Sequence, residues 1–151
     1  MERKILSKKK TILISLAVVI TVLAGIVLIP TIRAGEKPVG FKTVKADSIP
    51  KTLEEDVIPE YKALERALAC VVGDDIYVIV SRGEKPSSGF SVKVDRMAIE
   101  KEKGKTNWIV YALFTDPEKE TKISQIITYP ITVVKTELTS LPDTIELRIE
   151  Y

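Results

Sequence analysis

From Asp75 to the end of the chain, apolar side chains fall on every second position, and this period constrains the fold more than any other feature. Ile76–Val80 is a continuous, largely β-branched apolar run, the pattern of a strand buried on both faces. Phe90, Val92 and Val94 alternate with Ser91, Lys93 and Asp95. The phase then slips to Met97 and Ile99, which predicts a β-bulge or bend near Arg96. Gly104-Lys105 reads as a hairpin turn, after which Trp108, Val110, Ala112 and Phe114 share one face and point to a core. Ile123 to Lys135 reads as a long strand interrupted at Tyr129-Pro130. Proline there removes a ladder donor and predicts an edge, a bulge or a change of sheet. Ile145, Leu147, Ile149 and Tyr151 alternate with Glu146, Arg148 and Glu150. Strands of this number and length predict an all-β fold, a small antiparallel sandwich or open barrel.

One short helix is expected ahead of the strands. Pro59 suits a first helical position and Glu60 an N-terminal turn. Tyr61, Leu64 and Leu68 recur at helical spacing, and Gly73 closes the unit. Upstream, residues 31–50 contain Gly35, Pro38, Gly40 and several lysines and read as a linker or stalk, with Phe41–Val44 as a short edge strand. The β-domain is expected over residues 51–151.

Thr11–Pro30 is a run of twenty residues without a charged or amide side chain. At ~1.5 Å per residue it matches the ~30 Å hydrocarbon core of a bilayer, so a transmembrane helix or signal anchor is expected over residues 11–30. Lys8, Lys9 and Lys10 hold residues 1–10 in the cytoplasm and direct the remainder outside. The expected location is a cell membrane crossed once, with the C-terminal domain extracytoplasmic. The competing reading is a signal cleaved after Ala24 or Ala34 and a secreted domain.

Composition narrows function by exclusion. The chain has no histidine, which removes His-based triads, His metal ligands and His acid–base chemistry. Its one cysteine, Cys70, forms no disulfide within the chain and is expected to be buried in the apolar run Ala67–Val72. Residues 1–10 hold five of the 23 basic side chains and one of the 21 acidic ones. The rest, with 18 basic and 20 acidic, is slightly negative and unsuited to tracking phosphates. No nucleic-acid partner is expected. Asp74-Asp75 and Asp116, Glu118 and Glu120 lack calcium-loop spacing and read as solvated turn residues. A Ser–Lys pairing of Ser87, Ser88 or Ser91 with Lys85 or Lys93 would be the only route to an activated serine. No enzyme activity, cofactor or metal is expected.

The most informative stretch is the connection Arg82–Phe90. Pro86 fixes one φ, Ser87 and Ser88 can bond to nearby backbone, and Gly89 can take a positive φ. Such a loop presents a rigid, uncharged tip that loses little ordering entropy on binding. Lys85, Pro86, Ser87, Ser88, Gly89 and Phe90 are therefore candidate partner-binding residues, as are Tyr129 and Pro130.

Tyr77–Val80, Gly83–Pro86 and Ser88–Val92, followed by Gln125–Pro130 and Val133–Lys135, resemble the two motifs of the PrcB C-terminal family, named after a subunit of a spirochaetal surface protease complex. The resemblance covers about residues 75 to 135. It implies a non-catalytic extracytoplasmic β-domain that binds a protein of the cell envelope, by analogy an accessory subunit of a protease complex. A narrower similarity links Pro86-Ser87-Ser88-Gly89-Phe90 to the Pro-Thr-Thr-Gly-aromatic loop of chagasin-like protease inhibitors. Lys85 stands where those carry asparagine, and Trp108 lacks their Arg-Pro-Trp setting. The alternative function this implies is direct protease inhibition.

Overall fold

The computed structural model describes residues 35–118 and 122–151. The expected cytoplasmic tip, the transmembrane helix, positions 31–34 of the linker, and Lys119 and Glu120 of the polar loop lie outside them. Among the described residues no helix is long and apolar enough to cross a membrane.

Among the described residues eight strands form two four-stranded sheets. The first, sheet A, holds β1 (Lys37–Pro38), β5 (Ser91–Glu102), β6 (Lys105–Thr115) and β8 (Thr144–Glu150), in the order β1-β5-β6-β8. Sheet B holds β2 (Phe41–Thr43), β3 (Glu65–Val72), β4 (Asp75–Arg82) and β7 (Ile131–Thr136), in the order β2-β7-β4-β3. The sheets stay separate, so the fold is a sandwich and not a barrel. Residues 37–43, expected within the stalk, supply an edge strand to each sheet, and Phe41–Thr43 pairs with β7 as an edge.

The alternating positions behave as their period predicts. Trp108, Val110, Ala112 and Phe114 of β6 meet Val78 and Val80 of β4 and Val134 of β7 in the core between the sheets. At the predicted bulge, Val94 pairs with Ala112 and Arg96 with Tyr111, leaving Asp95 as the extra residue. This insertion lets Val94 and Met97, three positions apart, both reach the core.

Three expectations fail. The helix is earlier and shorter than predicted: a π-wound stretch, Leu53–Val57, runs into α1 (Ile58–Tyr61). Leu53, Val57 and Ile58 cover the outer face of sheet B above Ile79 and Val133. Full burial of Leu53 contributes roughly 1.5–3 kcal/mol. Leu64 and Leu68 match helical spacing only by coincidence, because Glu65–Val72 is strand β3, paired along its length with β4. β4 is buried on both faces and needs main-chain partners along both edges, which outweighs a local helical preference. Gly73, expected to end a helix, instead sits at φ +62° in the two-residue turn between β3 and β4.

The predicted long strand Ile123–Lys135 begins only at Ile131. Pro130 has no N–H to give, and its carbonyl accepts from Arg82 N at 3.0 Å just before the ladder starts. Finally, the sheets are not wholly antiparallel. β8 runs parallel to β6, with Trp108 opposite Ile145 and Ala112 opposite Ile149. The chain leaves β7 in sheet B, crosses to sheet A through residues 137–143 and enters its edge in the direction of β6.

Candidate functional site

At one end of the sandwich, the β4–β5 connection (Gly83–Phe90) lies beside the segment that precedes β7. Arg82, the last residue of β4, sets the base of this end. Its side chain is buried, and its guanidinium donates to the carbonyl oxygens of Thr115 (2.6 Å) and Ser91 (3.3 Å) and pairs with the Asp116 carboxylate. The same group lies about 5 Å from the ring centres of both Phe90 and Phe114. One cation thereby ties the end of β4 to the start of β5 and the end of β6.

Above Arg82 the two segments interlock. Lys85 N donates to Thr128 O and Thr128 N to Lys85 O, both at 2.9 Å, an isolated antiparallel bridge. Ser88 N donates to Ser124 O at 2.9 Å, and Ser124 N donates to Ser88 Oγ at 2.8 Å. The Thr128 hydroxyl donates to Ser87 O at 2.7 Å. Tyr129 OH donates to Glu84 Oε2 at 3.0 Å, while Lys62 Nζ stands 4.6 Å from the Tyr129 ring centre. The Glu84 bond raises the Tyr129 pKa above the ordinary phenol value, with partial desolvation and the Glu84 charge adding to it. Gly89 adopts φ +93°, and a Cβ there would stand 2.7 Å from Pro117 Cβ and 3.2 Å from Ile123 Cγ2. Glycine is required both by the backbone and by this close approach.

The structure therefore joins the two sets of candidate residues that the sequence treats separately, Lys85–Phe90 and Tyr129-Pro130. It also changes the role of the serines. Ser87 is 5% exposed, and the Ser88 hydroxyl is an acceptor within the loop pair. They hold the loop's shape and do not form a free tip. Pro86 and Gly89 are exposed, and Lys85, Ser88, Phe90, Tyr129 and Pro130 are half-buried. Tyr129 faces Glu84 and Lys62.

The residues that the sequence reading missed lie in the partner segment. Ile123, Ile126 and Ile127 are 39%, 59% and 61% exposed. They read as strand core, but the segment joins no sheet beyond the bridge at Thr128. The available signal was the adjacency of Ile126 and Ile127, which a half-buried alternating strand would not need, just ahead of Pro130.

A recess between α1 and sheet B, lined by Val57, Ile58, Leu68 and Ile79 among others, measures about 10 Å³, room for about one water molecule. Among the described residues no group of three or more Cys, Asp or Glu is placed to hold a metal ion. Cys70 is half-buried, and desolvation raises its thiol pKa.

The family model described as PrcB C-terminal matches residues 76–137. That stretch runs from β4 through β7 and contains both interlocked segments; the helix, β1 to β3 and β8 lie outside it. No curated protein and no solved structure matches the chain.

Proposed function

We propose that this protein is a non-catalytic protein-interaction domain of the cell envelope, held to the membrane through residues 11–30 and serving as an accessory subunit of an extracytoplasmic protease complex. The observation that carries this reading is the exposed Ile126-Ile127 pair, held on a loop pair that Arg82 and five main-chain or hydroxyl bonds keep in one shape. A preformed apolar surface of this kind binds a protein with little ordering cost. Its position inside the stretch that matches the PrcB C-terminal model supports a protease complex as the setting. Direct inhibition by insertion of Pro86–Phe90 has less support, since Ser87 is buried and the loop is braced by its neighbour.

The test is site-specific photocrosslinking in intact envelopes. A photoreactive residue at Ile127 is expected to trap a partner, identified by mass spectrometry as a protease or a subunit of one. The same residue at Lys103, in the β5–β6 turn, is the control. Equal trapping at both positions, or none at Ile127, would refute the docking surface. Stoichiometric inhibition of papain-like or subtilisin-like proteases would instead favour the inhibitor. In the same preparations the chain is expected to sediment with membranes and expose its domain to protease added from outside. Recovery in the medium with residues 1–24 or 1–34 removed would refute the anchor.

A further inference from the structure

The two sheets end unequally. On one side they close with β1 and β2, two and three residues long, which carry Lys37, Pro38 and Lys42. Short strands with lysine and proline are how sheet edges are kept from pairing with other chains. On the other side the edges are β3 and β8, eight and seven residues long.

No residue of β8 is buried. Ile145, Leu147 and Ile149 pack on the core yet remain half-exposed. Next to Ile145, Leu68, Ala69 and Leu141 line an open depression at the mouth between the sheets. Glu146, Arg148 and Glu150 alternate with these aliphatic positions, and nothing in β8 turns a charge toward the core to discourage a neighbour.

The order of side chains in β8 is self-complementary. When two copies run antiparallel about Leu147, Glu146 stands opposite Arg148 of the second copy, and Arg148 opposite its Glu146. On the inner face Ile145 stands opposite Ile149, and Leu147 opposite its own counterpart. Shifting the register by one pleat repeat in one direction places Glu146 opposite Glu146, and in the other places Glu146 opposite Glu150. Both bring like charges together. β3 has no such register: its charges, Glu65 and Arg66, lie on opposite faces of one end.

We infer that β8 pairs antiparallel with β8 of a second copy, in the register centred on Leu147, to form a twofold dimer with one continuous eight-stranded sheet. Glu146 already accepts from Arg148 Nε (2.7 Å) and Nη2 (3.2 Å) within its own strand. Arg148 Nη1 also donates to Glu36 Oε1 (2.9 Å) and Tyr111 OH (2.8 Å), so pairing joins two Glu36–Arg148–Glu146 sets into one ladder. Pairing also lays the aliphatic side chains of the second β8 over the mouth beside Leu68 and Leu141. The interface is isologous, as a closed dimer requires. It is independent of the loop-end docking surface.

Disulfide mapping in the full chain, embedded in vesicles and carrying Cys70→Ser, tests the register. Directly opposite Cα atoms of an antiparallel pair lie about 4.5–5.5 Å apart, within the span of a disulfide, whereas residues two positions out of register do not reach. Leu147→Cys is expected to give a linked dimer on mild oxidation. Ile145→Cys and Ile149→Cys should each stay monomeric alone and link when the two chains are mixed. Adding Glu146→Arg to the Leu147→Cys chain should cut the dimer yield by about tenfold, by facing arginine with arginine. Mixing it with a Leu147→Cys chain that carries Arg148→Glu together with Glu36→Gln, which removes the buried carboxylate that Arg148 pairs with, should restore the yield. A Leu147→Cys chain that keeps its buried Trp108 fluorescence but does not link to itself would overturn the inference. So would equal linking of the three single variants, or linking of the Leu147→Cys chain only to a different protein.

Discussion

Replacing Arg82 with methionine isolates the cation beneath the loop pair. Methionine retains an unbranched chain between Phe90 and Phe114 but removes the donors to Thr115 O and Ser91 O and the pairing with Asp116. The Thr115 bond, at 2.6 Å, is short and charge-assisted and is worth ~1.5–3 kcal/mol. The Ser91 bond, at 3.3 Å, is weaker, and Asp116 is 65% exposed, so solvent screens that pair to ~1 kcal/mol at most. Against these stands the relief of no longer burying a guanidinium whose Nε has no partner among the described residues. The net expectation is a loss of ~2–4 kcal/mol, or a fall in Tm of about 10 °C or more for a domain of this size. Trp108 is the chain's only tryptophan and is 1% exposed, so its fluorescence during urea unfolding of residues 35–151 reports the transition. Arg82→Lys, which keeps the charge but not the planar fork, should fall between methionine and the parent. A loss below ~0.5 kcal/mol for Arg82→Met would refute the assignment of Arg82 as the tie at the base of the site.

Other consequences are checked as directly. Gly89→Val places a β-branched residue at φ +93° with its Cβ against Pro117, and should lower stability by about 2 kcal/mol or more in the same urea assay. Tyr129 should ionise above the ordinary tyrosine range in an absorbance titration, and Glu84→Gln should move it back down, because its bond to Glu84 favours the neutral phenol. With the folded-state pKa raised, this bond supports the fold at pH values below the unfolded tyrosine pKa and is lost as pH rises through the folded one. Cys70, whose pKa burial raises, should react with a disulfide reagent at pH 8 more slowly than the same thiol in urea. Its neutral form likewise favours the fold below the unfolded thiol pKa, and that contribution disappears as pH rises past the folded value.

What alternation carries is the face a residue occupies, and those faces were legible. Trp108, Val110, Ala112 and Phe114 lie together, and the phase slip after Val94 is a bulge. Alternation carries neither the neighbour of a strand nor its direction, so nothing in Ile145–Tyr151 distinguishes a parallel β8 from an antiparallel one. Local spacing misled at Leu64 and Leu68, because the demand for β3 comes from the unpaired edge of β4 and not from the residues of β3 themselves. The true helix had a signal in Leu53, Val57 and Ile58, which form one apolar face ahead of the proline. At the site, proline and glycine correctly marked a loop of fixed shape. Serine as a residue type suggests solvent, however, and only the pairing with the second segment leaves Ser87 buried and turns the Ser88 hydroxyl to Ser124 N.

The parallel placement of β8 also sets a timetable. A ribosome releases β5, their shared turn and β6 together, and that hairpin can zip at once. The far flank of β6, carrying the edge of Trp108, Val110 and Ala112, waits for residues that follow Thr144. Until these arrive the nascent domain displays one edge of β6 as an open template. The sandwich is therefore completed by β8, and removing β8 would return the protein to that unfinished condition.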